Sequence, residues 1–381
     1  MVRRILLAAI LVTVAGCATV EPPPLYISHD HGIGLSAAAY SPDGQLAAVA
    51  NSSKIWILDT KLMKQVMTFS GNYRFGTNNT LVFIGNDLIS STGMTGAAGD
   101  QSSHAAIRIW NINDQFSEPI VIALPELGRY PISLDRSDST GALAVGGENG
   151  SVVLLEPDGG GGFAKRQLPG LEGPVLDVVF SRDGSMVAAG GVHPAVVIWD
   201  TQSLEEVGGL PVEGNIYDLD LIVDQRSLLV VGDDLRLWKF MTEEEWESIK
   251  NPSMAGDYIS IGAAVATLTV LTALAGSLGG SSPGMPMGGG LPEPEYGFCT
   301  RVADVSPGGD ILVDVHSGLT KEKIRIIEIE SGKVITTINP RGGRTCGATF
   351  SPDGTKLLIA NNRVARLYDT KNWEHVDFSL K

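Results

Sequence analysis

Histidine and cysteine are scarce in this chain, 6 and 3 among 381 residues, and their placement empties most of the catalytic repertoire. His29 and His31 lie two apart and share one strand face, but no third ligand stands near them, so they read as turn residues rather than a metal site. His104, His193, His316 and His375 are scattered, and none sits beside a nucleophile pattern. There is no Gly-x-Ser-x-Gly elbow. The glycine runs at 159–162 and 288–290 lack the Lys-Ser/Thr of a phosphate loop and read as loops. Positive charge is also short. With 28 Lys and Arg against 43 Asp and Glu, the formal charge of −15 repels phosphate backbones and anionic headgroups, so nucleic acid is not expected as a partner. No catalytic residue, metal or cofactor is expected, and the chain does not read as an enzyme.

What is abundant is short apolar runs separated by turns. A bulky landmark closes such a run at Trp56, Trp110, Leu155, Trp199, Trp238, Ile327 and Tyr368, with spacings of 54, 45, 44, 39, 89 and 41 residues. A period of about 40 to 45 residues suits a four-stranded propeller blade. Around the landmarks one grammar returns, clearest at 35–59 and 345–369. An apolar strand enters Ser-Pro-Asp-Gly, where Pro presets φ and Gly accepts a positive φ. A second strand of small and β-branched residues follows, then a third ending in Trp-x-x-Asp or Tyr-Asp.

The residues Ser41-Pro42-Asp43-Gly44, Ser181-Arg182-Asp183-Gly184, Ser351-Pro352-Asp353-Gly354 and Trp199-Asp200 give the chain a resemblance to WD-repeat β-propellers. The Gly-His that opens blades in that family is nearly absent, with Gly173-Pro174, Gly214-Asn215 and Gly343-Arg344 in its place; propellers of the TolB type share the same turn. Either resemblance implies an all-β fold, a seven-bladed β-propeller over residues 25–381. The tryptophans are then packing between blades, and Asp43, Asp183 and Asp353 serve local turn hydrogen bonds. The outer strand of the last blade has two candidates, 373–380 and 25–28.

The N-terminus reads as a leader: Arg3 and Arg4, an apolar stretch at 5–14, and Val14-Ala15-Gly16-Cys17. It resembles the lipobox of bacterial lipoproteins, which implies a signal peptide at 1–16 and acyl chains, palmitate among them, on Cys17. A lipid-anchored spacer would follow at 17–24. Ala18 after the cysteine favours the outer membrane, facing the periplasm, by the same analogy. Loss of Arg3 and Arg4 moves the charge from −15 to −17. Cys299 and Cys346 lie seven and five residues before Ser306 and Ser351. An oxidising compartment would permit a disulfide, but strand alternation turns both in one rotational sense, which favours buried free thiols.

The doubled interval after Trp238 holds an insertion at 241–297 in or after blade five, expected to be partly helical: Thr242 caps an acidic first turn and Asn251-Pro252 stops it. Residues 258–292 carry no charge and open with a 20-residue apolar run at 259–278, a marginal length for a bilayer span. A helical hairpin or extra strand against the propeller, membrane insertion, and a partner-docking arm all fit. Contact candidates are Trp246, Ile259, Val265, Leu268, Leu271, Leu274 and Leu278, with the long loops at 93–106 and 158–165. The expected function is a lipid-anchored cell-envelope scaffold that binds unidentified protein partners without catalysis, held to the membrane by Cys17 and in one reading by 258–278. The alternatives are a structural subunit of an envelope secretion or assembly complex, and a small-ligand sensor at the propeller channel. A sensor needs ionisable residues converging from several blades, where the sequence suggests apolar, Ser and Gly residues.

Overall fold

The structure, a computed structural model, describes residues 35–239 and 301–380, apart from 52, 71–79, 96–103, 194, 213–214, 223–226, 233–234, 317–322, 330, 341–344, 362–363 and 379. Antiparallel sheets follow one another along the chain. The first is β1 (Ala37–Tyr40), β2 (Leu46–Ala50), β3 (Lys54–Asp59) and β4 (Lys64–Ser70). The next is β5 (Leu81–Ile84), β6 (Leu88–Met94), β7 (Ala105–Asn111) and β8 (Ile120–Ala123), followed by a single 3-10 turn at Pro125–Leu127. Then come β9 (Pro131–Arg136), β10 (Leu143–Gly147), β11 (Val152–Pro157) and β12 (Phe163–Leu168), and β13 (Val175–Phe180), β14 (Met186–Gly191), β15 (Ala195–Asp200) and β16 (Glu206–Pro211). A three-stranded sheet is formed by β17 (Ile216–Ile222), β18 (Ser227–Gly232) and β19 (Leu235–Lys239). The last two are β20 (Arg301–Val305), β21 (Ile311–His316), β22 (Lys323–Glu328) and β23 (Val334–Ile338), and β24 (Thr345–Phe350), β25 (Lys356–Asn361), β26 (Ala365–Asp369) and β27 (His375–Phe378).

The first strand of each sheet lies beside the first strand of the next, and β24 returns to β1, so the sheets form a closed ring. Second strands such as β2, β10 and β14 are buried on both faces, as their unbroken apolar runs require, because each face meets a neighbouring sheet. Outer strands are mostly exposed.

Every landmark falls on the third strand of its sheet, and those with described side chains pack against the preceding sheet. Trp110 joins Ala48, Ile55, Ile57 and Phe69, its ring 6.1 Å from that of Phe69. Trp199 packs on Ala144, Leu154 and Leu168, Ile327 on Leu229 and Val231, and Tyr368 on Val313 and Ile326. Trp56 meets Leu358, Ala360 and Leu367, which makes the closing seam as apolar as the others.

The expectation of seven blades with a partly helical insertion is corrected. Six blades are complete four-stranded sheets, and β17–β19 stops at three strands among the described residues. After Lys239 the blade grammar fails in the sequence, so β19 has no outer partner of the β16 type among the described residues. No α-helix occurs among the described residues, whose apolar runs are short and rich in Val, Ile and Ala with turns every few residues. The insertion at 241–297 lies outside them. The outer strand of the last blade is β27, paired with β26.

The Ser-Pro-Asp-Gly turns behave as read. In the first, the Ser41 hydroxyl donates to Asp43 Oδ1 at 2.7 Å and accepts from the Leu46 N–H at 2.9 Å, while Gly44 takes φ 68°. Thr60 closes the turn by donating to the Gly44 carbonyl at 2.8 Å, and Thr201 and Thr370 repeat the contact on Gly184 and Gly354. Trp373, outside the landmark register, takes a left-handed turn position with φ 60° that Met63 and Leu204 share.

Candidate functional site: carboxylates on the inner strands

The innermost strand of each sheet pairs on one side only, which leaves backbone N–H groups directed at the ring axis and the next sheet. Over one arc of the ring, aspartates from the preceding sheet satisfy them. Asp135 on β9 accepts from the Phe180 N–H at 2.7 Å, and Asp177 on β13 accepts from Leu219 at 2.7 Å. On β17, Asp218 accepts from Ala303 at 2.9 Å, and Asp220 accepts from Val305. Asp304 on β20 accepts from Phe350 at 2.6 Å.

The five fall in two registers. Asp135, Asp220 and Asp304 bind the N–H of the last residue before, or the position matching, the next sheet's turn serine. Asp177 and Asp218 bind two residues further back and sit just after β-bulges in β13 and β17. A bulge adds a residue and re-aims the side chain that follows it. Ser133 and Gly347 occupy the same register on β9 and β24, again beside bulges. On the opposite arc, β1 and β5 present Ala37, Ala39, Leu81 and Phe83.

Burial pushes the Asp220 carboxyl up to about 7, with the charges of Asp218 and Asp135 acting in the same direction. Burial likewise raises Asp135 to about 6, against the opposing Phe180 and Arg136 N–H groups. Asp304 lies well above the ordinary carboxylate range, through burial and then the charge of Asp220. All three residues are partly exposed. Their titrations are coupled, and the protons belong to the array. Among the described residues no group of three or more His, Cys, Asp or Glu is arranged to hold a metal ion.

These carboxylates are the site that sequence reasoning missed, and the expectation of apolar, Ser and Gly residues near the axis is corrected. The signal was present: in Asp135-Arg136-Ser137 and Asp304-Val305-Ser306 an aspartate stands two residues before the turn serine. Alignment of the blades on their turns, rather than on the tryptophans, exposes it. Cys346 also requires correction, since it is disulfide-bonded rather than a free thiol. The bulge between Thr345 and Gly347 falls on it, so the alternation that counts back from Ser351 breaks at that residue. Its partner lies outside the described residues.

Cys17, Trp246, Ile259, Val265, Leu268, Leu271, Leu274 and Leu278 also lie outside the described residues. Among the described residues no helix is long and apolar enough to cross a membrane. The loop at 158–165 is ordered by its own aspartate: Asp158 Oδ1 accepts from Gly160 at 2.8 Å and Gly162 at 2.9 Å. One surface stands apart. In β8, Ile120 is 57% exposed and Val121 42%, and Phe116 just before the strand is 88% exposed. Among the described residues every other outer strand carries a charged residue or a bulge that discourages edge pairing, and β8 has neither.

Residues 164–200 match the WD domain, G-beta repeat family. The match begins in β12 and ends at Asp200, which closes β15, so sequence repeat and blade are out of phase by one strand. No curated protein matches the chain.

Proposed function

We propose that the protein is a lipid-anchored scaffold of the bacterial cell envelope that binds protein partners through its propeller surface and carries out no catalysis. A WD repeat within a closed ring of sheets fits protein-interaction scaffolding. That warrant is an analogy of fold. The observation that carries the reading is the exposed apolar edge of β8 with Phe116, at whose end Lys165 donates to the Ala123 carbonyl, on a chain of formal charge −15. Such an edge suits a partner that contributes an extended apolar segment as an added strand. The loops at 93–106 and 158–165, and the insertion with Trp246, Ile259, Val265, Leu268, Leu271, Leu274 and Leu278, are further contact surfaces in this reading. The leader ending in Ala15-Gly16-Cys17 supports the anchor and an outer-membrane location, and a disulfide at Cys346 suits an oxidising compartment.

Two experiments test this. Crosslinking in cells followed by mass spectrometry should recover a partner with the full chain and lose it with Ile120→Lys or on removal of 258–292. Recovery unchanged in both variants refutes these surfaces. Cys17→Ser should release the protein from the membrane fraction and abolish palmitate labelling; a labelled, membrane-bound variant refutes the anchor. A second reading, a sensor at the ring axis, is favoured by the convergence of Asp135, Asp220 and Asp304 there.

A further inference from the structure

We propose that the aspartates linking β9 to β24 form a proton-operated latch across the seams of the ring, closed in mildly acidic surroundings and loosened as pH rises through neutrality. Each carboxylate spans a boundary between sheets and ties one edge N–H of the next inner strand, at 2.6–2.9 Å for Asp135, Asp177, Asp218 and Asp304. A protonated carboxyl keeps an oxygen able to accept that bond and loses the charge that repels its neighbours. The β17–β20 seam is the most exposed to this effect, because Asp218 and Asp220 both cross it and Asp304 stands on its far side. It is also the seam between β17–β19 and β20, the strands on either side of the doubled interval in the sequence.

Compensating charge is sparse. On the strands packed against the array, β10, β14 and β18 contain no ionisable residue, and β24 contributes only the disulfide-bonded Cys346. Arg136 adjoins Asp135 but also donates to Asp138 at 2.5 Å. Asp314 on β21 is paired with Arg325 on β22. Tyr217 on β17, Arg301 and His316 at the ends of β20 and β21, and the buried Arg108 on β7, which packs against β9, are the other titratable and charged positions on the described strands around the array. Ionisation of Asp135, Asp220 and Asp304 therefore adds like charges, and Arg136, the cation that adjoins Asp135, is shared with Asp138.

Raised carboxyl values mean that the folded chain holds protons that the unfolded chain has released, so unfolding becomes easier as pH increases. The test is urea unfolding of the full chain from about pH 5 to about pH 7, where each proton held only by the folded state raises the unfolding constant about tenfold per pH unit. Asp220→Asn and Asp304→Asn keep a side-chain oxygen for the same N–H. Each should remove about one power of ten per unit from that dependence, and the double substitution about two. A wild-type constant that falls or stays level over this range, or a slope that the substitutions leave unchanged, overturns the latch. Infrared spectroscopy decides independently of whether the variants fold. The native full chain near pH 6 should show the carbonyl stretch of protonated carboxylic acid; its absence also overturns the proposal.

Discussion

Gly347→Ala tests how the ring closes. Gly347 lies on β24 at the register that carries Asp177 and Asp218 on other inner strands, but its neighbour is the backbone of β1. An added Cβ would stand 2.9 Å from the Ala38 nitrogen, 3.0 Å from the Ala37 carbonyl carbon and 3.2 Å from the Ala37 Cα. Ordinary contact begins near 3.4 Å. None of these atoms can rotate away, so the two strands must separate by about 0.5 Å, and such overpacking costs about 1–3 kcal/mol. Alanine also lowers the entropy of the unfolded chain, an opposing effect of about 0.4–1 kcal/mol. Gly160→Ala has that second effect with only the Asp158 side chain nearby, at 3.4 Å, and serves as the reference. Relative to it, Gly347→Ala should lose about 2 kcal/mol, a fall in melting midpoint of about 2–3 °C for a chain this long at about 2 cal/mol/K per residue. Calorimetry of both variants measures the difference. Equal midpoints would refute the claim that close backbone approach holds the β24–β1 seam.

Trp199, 1% exposed between the β9–β12 and β13–β16 sheets, should cost about 3–5 kcal/mol as Trp199→Ala and much less as Trp199→Phe, measured by urea unfolding. In the last turn the Ser351 hydroxyl donates to Asp353 at 2.6 Å and accepts from the Lys356 N–H at 2.9 Å, so Ser351→Ala should cost about 1–3 kcal/mol by leaving that N–H without its acceptor. The Ser351 hydroxyl holds the Asp353 carboxyl below its usual range, and Lys356 does the same for Asp369. Their stabilisation is present above the ordinary carboxylate range and lost as pH falls through their depressed values. An acid titration should show that loss, with a shallower fall in Ser351→Ala. Alkylation without reductant should leave Cys346 unmodified, and reduction should lower stability by about 2–4 kcal/mol, read as a lower midpoint.

The sheets were legible because their signals are local. Ser41, Ser181 and Ser351 with their aspartates build the same turn wherever that four-residue pattern occurs, and each landmark with a described side chain marks a strand largely buried on both faces. The array at the axis was harder to see, since Asp135 and Asp304 become neighbours of other sheets' backbones only when the sheets are ringed. Asp218 and Asp220, two apart on β17, look like an exposed strand face until β20 is placed beside them. Cys346 defeated strand alternation because a bulge is an irregularity of pairing, which a count along one strand does not register.

By itself the sequence determined the all-β character, the place of each landmark on a third strand, the turn chemistry, and the scarcity of catalytic material. Each of these depends on residues within a few positions of one another. Only the tertiary structure decided that six blades are complete while β17–β19 stops at three strands among the described residues, that β24 closes on β1 through Gly347, and that five aspartates tie successive seams. Those outcomes depend on which strand edges face one another across the ring, a relation between residues some 40 to 85 positions apart that no local pattern encodes.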